Sequence, residues 1–195
     1  MQPLSSSPSS KDRKIVAGRD LEKYCSLAVE AGATHAKQIH TSSVVTAPWV
    51  RLKCQYGCPG YGKGHCCPPH TPTAEETRAI LDCYQRAILF HIEFPTMEGR
   101  EKQYQKYLDR LVELEGEMFK DQYYRAFLFL AGHCRQCKKC GAIDGKPCAS
   151  PWKARPSMEG CGIDVYRTAR NNGFYIQTIR EKTETTNRYC LMMVD

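Results

Sequence analysis

Residues 125–140 read RAFLFLAGHCRQCKKC, and this stretch joins the fold to the chemistry. Arg125 to Gly132 is a short run of aromatic and aliphatic residues closed by a glycine, the pattern of a buried strand. The strand hands the chain to Cys134, Cys137 and Cys140, each two residues from the next, and Cys148 follows the Gly141-Ala-Ile-Asp-Gly-Lys-Pro147 turn. Loops at strand ends are where α/β architectures usually carry their sites.

Outward from this point, helices and strands alternate. Arg86 to Phe94 (RAILFHIEF) reads as a second buried strand. Ala36 to Leu52 suggests one or two strands, broken at Pro48 and running straight into Cys54. Phe174 to Arg180 and Asn187 to Val194 suggest final strands. Helical spacing runs from Asp20, a plausible N-cap, to Glu30, with Gly32 as its stop. Thr73-Ala-Glu-Glu76 is a capping-box pattern that opens a helix to about Cys83. Gly99 to Lys120 is amphipathic, with Tyr104, Tyr107, Leu108, Leu111, Leu114 and Met118 on one face. A further helix is expected from Ser157, its cap, to about Asn171, ending at Gly173. The expected fold is α/β or α+β: a mixed β-sheet flanked by helices, with two cysteine-rich metal-binding loops at strand ends. Residues 1–15, polar and rich in serine and proline, are expected to be disordered, and residues 16–195 to form a single domain.

The second loop is residues 54–72, where glycines and prolines exclude regular structure. It carries Cys54, Cys58, Cys66 and Cys67, followed by Pro68-Pro69 and His70. Thiolates bound to one soft metal must converge within a few ångströms. Three cysteines at CxxCxxC spacing wrap one corner of a multi-iron object, as iron–sulfur cubane loops do, whereas a single zinc ion more often takes two separate CxxC knuckles. Cys134, Cys137, Cys140 and Cys148 are therefore expected to hold a 4Fe–4S cluster, with zinc as the alternative. In the first segment, neighbours Cys66 and Cys67 cannot easily bind one metal together. Cys67 is favoured because a proline follows it, as in ferredoxin-type loops. That leaves Cys54, Cys58 and Cys67, with Cys66, His65 or His70 as a fourth ligand, or an open position where a small molecule binds. His65 and His133, each beside a cysteine, read more naturally as supporting residues. Cys25, Cys83, Cys161 and Cys190 fall in helical or strand patterns and read as packing residues.

The chain has 195 residues, twelve cysteines and a formal net charge of +7. A chain of this length does not need disulfide staples to fold, which favours a metal role for the cysteines. No apolar leader opens the sequence and no run approaches the roughly 20 apolar residues of a membrane helix, so a cytoplasmic location with reduced thiols is expected, with no membrane partner. The basic residues are scattered rather than gathered in an aromatic-interleaved patch, and cluster-bound thiolates would offset part of the charge; nucleic acid is not the expected partner.

With these residues in view, the chain resembles a prokaryotic family of predicted metal-binding proteins of unknown function. The resemblance rests on Cys54-Gln-Tyr-Gly-Cys58 through Cys67-Pro-Pro69, on Cys134-Arg-Gln-Cys137-Lys-Lys-Cys140 through Gly145-Lys-Pro-Cys148, and on Pro156-Ser-Met-Glu159 with Gly162-Ile-Asp-Val165. It implies that Cys54, Cys58, Cys67, Cys134, Cys137, Cys140 and Cys148 are the functional set, that Cys66 is not required, and that the protein belongs to anaerobic metabolism. It implies no reaction. The leading expectation is an electron carrier or redox accessory with two 4Fe–4S clusters, working with a redox protein or an anaerobic enzyme. The alternatives are an enzyme whose first cluster has an open iron, and a structural zinc protein that binds a partner.

Overall fold

A computed structural model describes residues 21–94, 101–181 and 183–195. Four strands form one sheet in the order β1-β2-β4-β3: β1 (His35–His40), β2 (Arg86–Phe94), β3 (Phe127–Phe129) and β4 (Thr186–Met193). Every pairing within the sheet is antiparallel, so the fold is the α+β form of the expected class. The one parallel link is an isolated bridge from Leu130, just past β3, to Ser157.

β2 is buried along both faces, which is why its sequence reads as continuous apolar rather than alternating. Ile88, Phe90 and Ile92 meet Tyr24, Tyr107 and Leu111 from helices α1 (Glu22–Glu30) and α4 (Glu101–Lys120). On the opposite face, Ala87 and Leu89 join Leu81, Met158, Cys161, Ile163 and Tyr189. The amphipathic stripe expected in α4 is the stripe that is buried. Asp20, Gly99 and the N-terminal stretch expected to be disordered lie outside the described residues.

Three local expectations are corrected. Pro48 does not break a strand; it opens helix α2 (Pro48–Gly57) at its first turn, where its missing N–H costs nothing and its fixed φ is already helical. The first cysteine segment therefore follows a helix, not a strand, and Cys54 is helical. Ser157 does not cap a helix to Asn171. Its Oγ accepts from Gly160 N at 2.9 Å, and a single 3-10 turn, Glu159–Cys161, follows. Gly162 then stands at φ +77°, and a Cβ there would lie 2.8 Å from Ala74 Cβ, so the chain turns under the start of α3 (Ala74–Leu81) before Asp164 caps α5 (Val165–Asn171). Residues 174–180 form no strand; Tyr189 Oη donates to the Tyr175 carbonyl and Arg170 to that of Ile176, replacing ladder bonds with side-chain ones. The capping box of α3 is present as read, with Thr73 Oγ1 accepting from Glu76 N and Glu76 from Thr73 N. Among the described residues no helix is long and apolar enough to cross a membrane.

Candidate metal centre

Cys54 and Cys58 are four residues apart at the end of α2, and Cys58 N donates to the Cys54 carbonyl at 3.3 Å. Helical geometry puts side chains at that spacing on one face, so the CxxxC motif delivers two sulfurs together. From Cys58 the chain folds back through tight turns, Tyr61 N to Cys58 O, Lys63 N to Gly60 O and Cys67 N to Gly64 O, and Gly62 N reaches the Pro68 carbonyl at 2.8 Å. The Pro68–Pro69 peptide is cis. Arg51 of α2 clamps the far end of this segment, donating to the carbonyls of Thr71, Pro72 and Gly160. The result brings Cys54, Cys58, Cys66 and Cys67 around a cavity of about 150 Å³, room for about five waters.

The second segment has little regular structure and is held from outside. Helix α4 supplies most of its anchors. Tyr104 Oη donates to the Ala131 carbonyl at 3.0 Å, and Gln136 reaches Asp109 at 2.7 Å. At the far end the Arg155 guanidinium grips Glu115 through both carboxylate oxygens, and Glu115 also accepts from Leu128 N. Between them, Lys146 N bonds back to Gly141 O, a close approach in which a Cβ on Gly141 would lie 2.5 Å from the Pro147 carbonyl oxygen. That glycine lets Cys148 return toward Cys140. Cys134, Cys137, Cys140 and Cys148 line a cavity of about 340 Å³ together with Cys66 and Cys67.

The two cavities share a wall, formed by Cys66, Cys67, Gly60 and His133. His65 ties the segments together: its Nε2 lies 2.8 Å from the Lys146 carbonyl, which can only accept, so Nε2 carries the proton. All eight cysteines singled out by spacing thus border this double cavity, two spaces on either side of one wall. His70 is exposed and lines neither. Cys161 and Cys190 are buried in the core and Cys25 packs against it, while Cys83 is exposed on the surface turn after α3 rather than buried.

The thiols are not electrostatically alike. The Cys66 and Cys134 thiols influence each other: the proximity of Cys134, with burial, pushes the Cys66 pKa up, and the proximity of Cys66 draws that of Cys134 down to about 6. Burial and the neighbouring Cys58 and Cys54 sulfurs raise Cys67 to about 11. Burial is also the main reason Cys54 rises. Gly60 N points at Cys58 Sγ and Ser150 N at Cys148 Sγ, both at 3.4 Å, the kind of amide–sulfur contact that stabilises metal-bound thiolate. Among the described residues no three His, Cys, Asp or Glu side chains already stand at mutual metal-binding distance. The donor set nevertheless fits a thiophilic metal group: eight sulfurs, glycine-rich walls and amide donors around two adjoining spaces. Final convergence of the sulfurs is then coupled to loading, as is common where ligands sit on loops.

Glu159, marked in the sequence only as the end of the Pro156-Ser-Met-Glu159 motif, is a residue of the site that cysteine spacing misses. It lines the smaller cavity, accepts from Gly132 N at 3.5 Å, and has its pKa raised by burial. The signal was present in its motif, Pro156-Ser-Met-Glu159, but without the fold nothing linked it to Cys54. No curated protein and no solved structure matches the chain. A family model described as "Predicted metal-binding protein (DUF2284)" matches residues 37–194, a span that includes every cysteine of the double cavity. The chain belongs to this metal-binding family.

Proposed function

We propose that the chain is an iron–sulfur protein with two 4Fe–4S clusters in its adjoining cavities, serving electron transfer or a redox accessory role in anaerobic metabolism. Cys134, Cys137, Cys140 and Cys148 would hold one cluster; Cys54, Cys58 and Cys67 would hold the other. The observation that carries this reading is the shared wall: two thiol-lined spaces separated only by Cys66, Cys67, Gly60 and His133. Two isolated zinc knuckles have no reason to adjoin, whereas one-electron centres gain from proximity. Such clusters supply a reversible one-electron couple, with potentials set by charge, sulfur hydrogen bonds and solvent exposure.

The chain's own part is to supply thiolates, direct the Gly60 and Ser150 amides at sulfur, and limit water. Cys66, which borders both cavities, would belong to the wall rather than to the first ligand set. The exposed Lys63 and Lys138 around the larger cavity suit an acidic redox partner. The test is anaerobic purification followed by iron and acid-labile sulfide analysis and EPR of the dithionite-reduced protein. Iron and sulfide with two interacting signals is the expected result. Cys148→Ser and Cys67→Ser should each remove one signal and leave the other, and Cys66→Ser should remove neither. Stoichiometric zinc without sulfide would overturn the proposal.

A further inference from the structure

A third cavity, of about 550 Å³, opens beside the first cysteine group and shares Cys54, Gly132, His133 and Glu159 with it. Its volume falls within the range of small-molecule sites. It lies where β3 stops: β3 pairs only with Leu191–Met193, so the Thr186–Cys190 half of β4 runs on past it. The chain leaves the sheet there, and the space is roofed by α2 and α5.

Its lining has two chemical sides. Lys53, Arg135 and Arg188 supply cations. The Arg135 guanidinium lies 5.8 Å and that of Arg188 4.6 Å from the centre of the Tyr104 ring, so both are near one aromatic ring. Among the described residues no carboxylate stands within ion-pair distance of Arg135 or Lys53. Two carboxylates also line the cavity, and both have backbone partners: Asp164 accepts from Arg167 N at the start of α5, and Glu159 from Gly132 N. The rest of the lining includes the aromatic and aliphatic side chains of Trp49, Tyr166, Tyr189 and Ile176.

Half-buried guanidinium and aromatic rings lining one cavity suit an anion carried on a ring, because a guanidinium binds carboxylate or phosphate oxygens through two parallel hydrogen bonds while the rings take up the rest. We propose that this cavity binds a small organic anion, a carboxylate or phosphate on a planar ring, anchored by Arg135, with its other end directed toward Cys54 and Glu159. The proposal goes beyond the cluster reading and does not depend on which metal the cysteines hold.

The chain has two tryptophans, and only Trp49 lines the cavity. In full-length Trp152→Phe protein, Trp49 emission is followed while benzoate, phenyl phosphate or neutral benzyl alcohol is added, before and after chelator treatment. Saturable quenching by at least one anion is expected in both states, and the preferred anion identifies the headgroup. Benzyl alcohol should bind roughly tenfold more weakly or worse, as should the anion to Arg135→Gln, since a charge-assisted bond is lost in each case. Lys53→Gln, at an exposed position, should weaken binding less, and circular dichroism verifies that each variant is folded. Absence of saturable quenching, equal binding of benzyl alcohol, unchanged binding by folded Arg135→Gln, or loss of binding on chelation would overturn the proposal. Because chelation removes metal without touching Arg135, failure of the pocket and failure of the cluster reading give different results.

Discussion

Cys54 and Cys58 are placed by a helix, whereas Cys134, Cys137, Cys140 and Cys148 are placed by a loop held from outside by one side of α4. In the first segment, spacing along the backbone sets the distance between sulfurs. In the second, distant side chains set it: Tyr104, Asp109 and Glu115 pin the two ends of the loop, and Gly141 folds its middle. Thiols can thus be gathered by local periodicity or by tertiary clamps. The two devices fail differently. A helix end yields to changes in its cap and in what packs on it, while a clamped loop yields to loss of any one clamp.

The largest effect should come from Glu115→Ala. Both partners of the Glu115–Arg155 pair are mostly buried, with 11% and 16% of their side chains exposed. Removing one leaves the other uncompensated, at a cost of about 3 kcal/mol. Urea unfolding should show this as a lowered midpoint, and metal uptake by the second segment should fall more than that by the first. Equal loss from both would mean that the clamp serves the fold as a whole. Gly141→Ala should cost about 1–3 kcal/mol through its clash with the Pro147 carbonyl. Its signature is selective loss of the second site with the sheet's circular dichroism unchanged.

On the other side of the comparison, Thr73→Ala removes the capping box of α3 and should cost about 1 kcal/mol in thermal or urea unfolding. Because Arg51 of α2 bonds the Thr71 and Pro72 carbonyls just ahead of this cap, any effect on metal uptake should fall on the first segment. The smallest expected effect is shared by both. His91 is buried in β2, stacked between His35 and Tyr189 and bonded to Asn187, and burial lowers its pKa. Below the ordinary imidazole value of about 6.5, the unfolded chain takes up a proton that the folded one resists, so stability drops as pH is lowered through that range and levels off above it. A His91→Phe variant should lose this component of the slope, without favouring either segment.

Much of the sheet and its flanking helices was legible because each element is repetitive. β2 announces itself as unbroken apolar sequence, α4 by its stripe, α3 by a cap in which two residues answer each other. What was not legible depends on contacts between distant segments. Pro48 is equally compatible with a broken strand and a helix start, and only the packing of Val50 into the core decides it. The Ser157 helix fails because Gly162 must pass beneath Ala74, a constraint invisible in either segment alone. For the site, cysteine spacing identified every thiol of the double cavity. The sharing of a wall, the proximity of Cys66 to Cys134 and the position of Glu159 all require segments far apart in sequence to meet.

Leu130 N donates to the Pro156 carbonyl at 2.8 Å, and Met158 N to the Leu130 carbonyl at 2.9 Å. The chain therefore leaves the sheet and rejoins it at almost the same point, and everything from Ala131 to Arg155 is a closed excursion. Such an excursion can open without breaking a single ladder bond. Its amide exchange and its susceptibility to proteases report a local free energy, separate from that of global unfolding. Whatever ligand orders the excursion sets its lifetime and leaves the folding of the sheet untouched.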